Sequence, residues 1–215
     1  MIKELFSEPN LIVMCGKSKS GKSYLLRSLL TLACKKGLFS FGLVFCQTKF
    51  NDGYNFLPDK YVIAGYNEEV LKKYLKKLEE YQQRTRKKPP HSFVIFDDIM
   101  GSVKNSDVFK KFISTYRHYN ITVLICVQYV SGLNTLGREQ ISYAFIFPQS
   151  TSRSIKLLYD AIGGEFESEK DFSHFLKKQT KEQYMSLFYT ADGGSMEEKF
   201  KTYKANPVQN IKIQY

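Results

Sequence analysis

Cysteine pairs and long apolar runs are both absent from this chain of 215 residues. Its four cysteines, Cys15, Cys34, Cys46 and Cys126, form no CxxC pair, and each lies in an apolar stretch typical of a strand or helix. This pattern indicates buried free thiols in a reducing compartment, and the three histidines lack the spacing of metal ligands. No apolar run approaches the ~18 residues of a membrane span.

The chain also lacks a leader-like N-terminus, internal repeats and low-complexity segments. Its first residues, MIKELFSEP, include acids and contain no long apolar core, so they do not resemble a signal peptide. We therefore expect an intracellular protein with no membrane span. We also expect one domain over residues 1–215, with a C-terminal elaboration from about residue 165, since this length is ordinary for a single domain.

Basic residues outnumber acidic ones, with 32 lysines and arginines against 21 aspartates and glutamates, a formal net charge of +11. Hydrophobic residues make up 43% and charged residues 25% of the chain, which are values of a globular protein and exclude a disordered one. The positive surplus is consistent with a polyanionic partner such as nucleic acid, although the same charge could serve solubility alone.

Short apolar segments alternate with helical patterns along most of the chain, which predicts an α/β protein with a mostly parallel sheet covered on both faces. Strands are predicted at 10–15, 42–46, 61–64, 92–97, 121–127 and 144–147, with a turn at 51–53, and helices at 20–36, 67–86, 106–119 and 152–162. After Gly163 the signal weakens, and we predict a helix at 169–179 and short strands at 183–190 and 199–204.

One segment matches the phosphate-binding pattern GxxxxGK[ST] in full: Gly16, Lys17, Ser18, Lys19, Ser20, Gly21, Lys22 and Ser23. It follows a predicted strand and opens a predicted helix, an arrangement in which backbone N–H groups and the helix N-terminus converge on an anion. In such a loop Lys22 reaches the β- and γ-phosphates and the Ser23 hydroxyl binds Mg²⁺. A glycine-rich turn with solvated lysines is the alternative, and the flanking strand and helix disfavour it.

Two acids and an amide follow the next buried strands. The segment FVIFDD ends in Asp97 and Asp98, at the strand end where ligands bind in parallel sheets. We predict that Asp97 holds Mg²⁺ and that Asp98 orients or deprotonates an attacking water. Gln128 ends the strand ITVLICVQ and could sense the γ-phosphate or hold the water, unless it is simply a solvated strand end.

The segments GKSKSGKS, FVIFDDI and FISTYRHYNITVLICVQ together resemble the FtsK/HerA superfamily of ring-forming, DNA-pumping ATPases. Within it, the compact chain is most similar to the genome-packaging ATPases of large DNA viruses, virophages and polinton-like elements. The resemblance covers about residues 11–147. It implies a P-loop NTPase fold of the ASCE, RecA-like type, which is a three-layer sandwich with a mostly parallel central sheet.

This resemblance also implies roles and partners. ATP and Mg²⁺ are the expected cofactors, bound by Lys22, Ser23 and Asp97, with Asp98 as catalytic acid or base and Gln128 as sensor. It further implies an arginine that acts across a subunit boundary, for which Arg117 and Arg138 are both candidates. The expected partners are double-stranded DNA, other copies of the chain in a ring, and a capsid vertex protein, in the host cytoplasm or a viral factory.

Two features leave room for other interpretations. Asp98 stands where many relatives carry glutamate, and its shorter side chain makes the position of the water uncertain. The segment LKKYLKKLEEYQQRTRKK at 71–88 could follow DNA phosphates or could simply be a solvated helix face. The alternatives to a DNA-translocating motor are a small P-loop nucleoside or nucleotide kinase and a nucleotide-regulated assembly protein with little turnover.

Overall fold

The computed structural model describes residues 2–47, 54, 57–103, 105–133 and 135–205. The strands are β1 Leu11–Cys15, β2 Phe41–Cys46, β3 Val62–Ala64, β4 Ser92–Asp97, β5 Ile121–Val127, β6 Tyr143–Ile146, β7 Met185–Thr190 and β8 Phe200–Lys204. The helices are α1 Ile2–Phe6, α2 Lys22–Lys35, α3 Glu68–Thr85, α4 Met100–Val103, α5 Asp107–Thr115, α6 Thr135–Glu139, α7 Ser152–Ile162, α8 Glu169–Gln179 and α9 Met196–Lys199. No helix among these residues is long and apolar enough to cross a membrane.

All eight strands join one sheet in the order β3-β2-β4-β5-β1-β6-β7-β8. Strands β1 to β6 pair in parallel with one another, whereas β7 pairs antiparallel with β6 and β8 pairs antiparallel with β7. The predicted mostly parallel α/β sheet is therefore confirmed. We call the side of the sheet where β1, β4, β5 and β6 end the carboxyl edge, and the side where they begin the amino edge.

Side chains on the two faces of the sheet form two separate cores, because successive residues of a strand point to opposite faces. Val13 of β1 packs in the core that includes residues of α3, α5, α7 and α8. Its neighbours Ile12 and Met14 pack in the core that includes residues of α1 and α2. The result is a helix–sheet–helix sandwich of three layers, as predicted.

Most predicted elements occur where the sequence pattern indicates, and the strands at 92–97 and 121–127 have the predicted bounds. The helix predicted at 106–119 is wrong at its C-terminal end, because it stops at Thr115. Tyr116 is buried, its carbonyl accepts the Ile121 N–H at 3.1 Å, and Asn120 takes a left-handed φ of 56°. A tight turn thus connects the end of α5 to β5. The turn predicted at 51–53 lies outside the described residues.

Candidate active site

The glycine-bounded loop lies at the carboxyl edge, between β1 and α2. Three backbone hydrogen bonds extend the parallel pairing past the strand ends there: Gly16 to Val127 at 3.1 Å, Phe147 to Cys15 at 2.8 Å, and Asp98 to Cys126 at 3.0 Å. The residues that leave β1, β4, β5 and β6 are consequently fixed relative to one another. Rigid strand ends of this kind are suited to holding a ligand.

Two glycines are required by the shape of this loop. A Cβ on Gly16 would lie 2.6 Å from the Cβ of Phe147, closer than carbon atoms can approach. Gly21 has a φ of 112°, which side-chain-bearing residues rarely adopt, and it directly precedes α2. The close approach at Gly16 and the left-handed backbone at Gly21 explain why the motif has glycine at both positions. Glycine there lets the loop fold tightly under the site.

Lys22 is the first residue of α2 and its side chain is only 8% exposed. Its ammonium group donates hydrogen bonds to the carbonyl oxygens of Gly16 and of Lys17, the latter at 3.0 Å. The charge of Lys22 is therefore held directly over the loop, where it can meet an anion. Ser20 lies in the same loop, and its hydroxyl is buried without a hydrogen-bond partner among the described residues.

Asp97 is the last residue of β4 and borders the same site. The hydroxyl of Tyr54 donates a hydrogen bond of 2.8 Å to its Oδ2 atom. Burial raises the pKa of the Asp97 carboxyl, and the neighbouring Asp98 also raises it, whereas the bond from Tyr54 acts in the opposite direction. A buried carboxylate whose charged form is disfavoured gains from a nearby cation, which agrees with the predicted metal-binding role.

Asp98 follows Asp97 and has a left-handed φ of 55°. The side-chain amide of Gln128 donates a hydrogen bond of 2.7 Å to its Oδ2 atom. The structure thus brings together the second acid and the amide that directly follows β5, as the sequence predicts, and it shows a direct contact between them. Aspartate is enriched several-fold in left-handed backbone among non-glycine residues, which gives a physical reason for the short acid here.

These groups surround one cavity of about 290 Å³ at the carboxyl edge. Its lining residues are Ser18, Lys19, Lys22, Ser23, Leu26, Arg27, Cys46, Gln47, Tyr54, Asp97, Asp98 and Gln128. The Ser23 hydroxyl and the Asp97 carboxylate supply oxygen atoms, the ligand type that Mg²⁺ prefers. A basic loop on one side and two acids on the other therefore fit a phosphate chain together with a divalent cation.

Sequence reasoning missed five side chains of this cavity, of which three can form strong hydrogen bonds: Arg27, Gln47 and Tyr54; the other two are Leu26 and Cys46. Arg27 lies on α2 after the motif, and Gln47 directly follows the last residue of β2. The position of Gln47 at a strand end carried a usable signal, because β2 adjoins β4 in the sheet. Tyr54 belongs to no strand or long helix, so no periodic pattern marks it.

The two candidate arginines lie away from this cavity. Arg117 is exposed in the turn before β5, with its guanidinium 5.4 Å from the centre of the Tyr116 ring. It lines a second cavity, of about 520 Å³, at the amino edge. Arg138 lies on α6 and donates to the carbonyl of Leu133 at 2.8 Å. Neither arginine lines the phosphate-sized cavity of its own chain, so a role for either in hydrolysis requires a neighbouring subunit.

The basic segment at 71–88 forms most of α3 and part of the turn after it. Lys72 is 3.0 Å from both Glu68 and Glu69, and Lys76 is 3.9 Å from Glu80. Part of the positive charge is thus neutralised within the helix itself. This pairing favours a solvated face for Lys72 in particular.

The fold has clear relatives among solved structures. It is similar to the genome packaging NTPase B204 from Sulfolobus turreted icosahedral virus 2, solved in complex with AMPPCP, with a TM-score of 0.64. The two chains are 16% identical, and the match covers 94% of this chain and 98% of B204. At this identity the likeness shows the fold, which confirms the predicted P-loop ATPase architecture.

Sequence relatives come from large DNA viruses. The chain is 24% identical over 185 residues to the protein 075L of Invertebrate iridescent virus 6, covering 82% of this chain and 69% of that protein. It is 27% identical over 162 residues to the DNA packaging protein OPG160 of Monkeypox virus, covering 73% of this chain and 53% of that protein. This chain therefore spans about half the length of its poxviral relative.

A family model described as Poxvirus A32 protein matches residues 1–197, which is most of the chain. Together with the viral relatives and the shared fold, this match confirms the resemblance to viral genome-packaging ATPases. The chain therefore belongs to the Poxvirus A32 protein family.

Proposed function

We propose that this protein is an ATP-hydrolysing motor that translocates double-stranded viral DNA into a preformed capsid. The observation that carries the proposal is the convergence of Lys22, Asp98 and Gln128 on one cavity at the carboxyl edge. The names of two similar proteins support it, because one is a DNA packaging protein and the other a genome packaging NTPase solved with an ATP analogue.

Hydrolysis in this site would depend on three groups of the chain. The N–H groups of the loop and the Lys22 ammonium would hold the β- and γ-phosphates and stabilise negative charge as it develops. The Asp98 carboxylate would orient the attacking water and accept its proton. Gln128, through its 2.7 Å hydrogen bond, would restrain the Asp98 carboxylate in the position needed for that transfer.

Asp97 and Ser23 are the residues that would hold Mg²⁺. Bound Mg²⁺ supplies charge neutralisation on the phosphate oxygens. Tyr54 would orient the Asp97 carboxylate, because it already donates to one of its two oxygens at 2.8 Å. Such outer hydrogen bonds tune metal affinity in many sites.

A ring of identical subunits is the proposed assembly, with an arginine of one subunit completing the site of the next. Arg117 is exposed and lies at the amino edge, far from the loop of its own chain. A trans-acting role is therefore the one that suits it. We place the motor in the infected cell, at a capsid vertex, as an intracellular protein organised as one ATPase domain over residues 1–215.

Contacts to DNA would be made to phosphates rather than to bases, because a motor must step along any sequence. Lys73 and Lys77 on α3 are exposed, and no ion pair joins them to any residue in the described part of the chain. They contrast with Lys72, which two glutamates flank. Charge reversal of Lys73 and Lys77 should reduce the salt dependence of DNA affinity, whereas Lys72→Glu should leave it nearly unchanged.

Strand order bears on the kinase alternative. Nucleoside and nucleotide kinases usually carry the acidic strand beside the strand of the phosphate loop. In this sheet β5 lies between β1 and β4. The observed order therefore supports an ATPase over a small kinase. A nucleotide-regulated assembly protein would share the site but would show little turnover, so turnover distinguishes it.

ATP hydrolysis measured with and without long double-stranded DNA tests the proposal. We expect DNA to raise the rate, long DNA more than short, with little dependence on base composition. Lys22→Ala should abolish hydrolysis because the charge that stabilises the γ-phosphate is lost. Lys35→Ala, which removes an exposed lysine from the last turn of the same helix, is the matched control. Turnover that ignores DNA but responds to a nucleoside would support the kinase instead.

A further inference from the structure

Two exposed tyrosines lie beside the phosphate-binding loop. Tyr24 directly follows Ser23 in the first turn of α2 and is 53% exposed, and Tyr184 directly precedes β7 and is 44% exposed. Their rings are nearly parallel, with centroids 6.5 Å apart and planes 19° from parallel. Among the described residues only four large hydrophobic side chains are exposed, and this pair accounts for two of them. Their placement together therefore calls for a function.

Tyr184 is fixed against the loop. A Cβ on Gly21 would lie 3.1 Å from its ring, so the ring packs directly on the glycine that precedes α2. Its carbonyl accepts the Ala205 N–H at 3.1 Å, which ties the residue to the end of β8. Its φ of 63° is left-handed, an uncommon conformation for a bulky residue. Strain of this kind is retained most often at functional positions.

The strand order gives a bound nucleotide a direction. Asp98 follows β4 and contacts Gln128 after β5, so the γ-phosphate end of the nucleotide belongs on that side of the loop. The loop itself follows β1. The α-phosphate and the nucleoside must then extend in the opposite direction, toward β6 and β7. That side is where Tyr184 and Tyr24 lie.

We infer that Tyr24 and Tyr184 form a stacking platform for the purine base of the nucleoside triphosphate held by the loop. This inference rests on the proposed nucleotide-hydrolysing function and adds a determinant outside the loop motif. Aromatic side chains bind bases through their π faces, and this contact tolerates different bases. Affinity from the platform should therefore follow the size of the base, with ATP and GTP bound more tightly than CTP.

The test compares two ligands that share phosphates but differ in the base: ATP and inorganic tripolyphosphate. Tyr184→Gly removes the ring and also relieves the left-handed backbone, so it should fold at least as well as the wild type. Tyr24→Ala removes the other ring from an exposed helical position. Tyr184→Phe and Tyr24→Phe are the matched controls, because they keep the rings. Dissociation constants are measured by calorimetry with Mg²⁺ present.

We expect Tyr184→Gly and Tyr24→Ala each to raise the dissociation constant for ATP by roughly 5- to 150-fold, the range that base stacking gives. Tripolyphosphate affinity should stay at the wild-type value, which also shows that the loop is folded. The phenylalanine variants should bind ATP nearly as the wild type does.

Three results would overturn the inference. Unchanged ATP affinity in both ring-removing variants would show that the base lies elsewhere. An equal loss for ATP and tripolyphosphate would assign the tyrosines to support of the loop. If the wild-type protein binds tripolyphosphate as tightly as ATP, the base contributes nothing to affinity, although the phosphate site is functional. Wild-type protein that binds neither ligand would instead refute the proposed function, and the platform with it.

Discussion

The two edges of the sheet differ in what surrounds their cavities. The carboxyl-edge cavity, of about 290 Å³, has basic residues on its loop side and Asp97 and Asp98 on the other. The amino-edge cavity is larger, at about 520 Å³, and mixes Glu8, Lys88 and Arg117 with other charges. Cavity size alone would thus select the wrong edge. The separation of opposite charges across a small cavity, next to a tight glycine loop, is what identifies a phosphate site.

The largest effect in this comparison is expected from an arginine at the amino edge that acts on the carboxyl-edge site of a neighbouring subunit. Arg117→Ala should lower ATP hydrolysis by ~10³ to 10⁵, as removal of a trans-acting arginine does elsewhere. We expect a smaller loss for Arg138→Ala, because the Arg138 guanidinium already bonds the Leu133 carbonyl in its own chain.

Mixing experiments measure whether such an arginine acts in trans. Subunits that lack the arginine should regain activity when mixed with Lys22→Ala subunits, which cannot hydrolyse ATP but supply the arginine. If both arginine variants fold and neither is rescued, neither Arg117 nor Arg138 serves a neighbouring site, and the proposed trans-acting arginine fails.

The next effect concerns the two acids of the carboxyl edge. Asp98→Asn should bind ATP with Mg²⁺ nearly normally and lose ~10² to 10⁴ in turnover, because proton acceptance is lost. Asp97→Asn should instead raise the Mg²⁺ concentration needed for half-maximal activity. Magnesium titrations at saturating ATP distinguish the two. Equal loss of nucleotide binding in both variants would show that the roles are misassigned.

A subtler change at the same edge tests how Asp97 is held. Tyr54→Phe removes the hydroxyl that donates to Asp97 Oδ2 and keeps the ring. We expect about a tenfold or greater loss of Mg²⁺ affinity, in the range reported for outer-sphere partners of metal ligands. Turnover at saturating Mg²⁺ should change much less. A reduced turnover with unchanged Mg²⁺ affinity would contradict the positioning role.

The smallest effect belongs to the amino edge and concerns stability. Burial lowers the pKa of His91 to about 4, and its ring contacts the Thr122 hydroxyl at 2.9 Å. The unfolded chain therefore binds a proton at higher pH than the folded chain does, so this contribution to stability is lost as the pH falls from about 6.5 toward 4.

Urea unfolding at pH 7 and pH 5 measures this contribution. The wild type should lose about 1 kcal/mol more of its unfolding free energy than His91→Gln does over that interval, a value reduced because the ring is partly solvated. An identical loss in both proteins would show that His91 does not couple folding to protonation.

The sequence predicted the frame of the fold because its strands are short apolar runs with sharp ends. SFVIFD ends at an acid, and β1 ends directly before Gly16, so their bounds were visible. The end of α5 was not, because Tyr116 continues the apolar helical pattern while it actually packs under a turn. Local periodicity cannot distinguish a buried aromatic residue inside a helix from one that packs beneath a turn.

At the site, the residues within motifs were predictable and their partners were not. Asp98 and Gln128 each directly follow a buried strand, and the two strands are neighbours, so their proximity followed from the sheet. The bond from Tyr54 to Asp97 joins residues that lie 43 positions apart and share no sequence pattern. Contacts of that kind arise from tertiary packing, which a single sequence does not display.

The position of β5 in the sheet sets the distance between the phosphate-binding loop after β1 and the acids at the end of β4. Adjacent strands are ~4.8 Å apart, so one intervening strand separates the ends of β1 and β4 by about 10 Å. The width of one strand therefore lies between an acid at the end of β4 and a phosphate held by the loop after β1. That width leaves room for a water molecule between the carboxylate and the phosphate. The strand therefore acts as a spacer that favours transfer of the phosphoryl group to water over transfer to the protein.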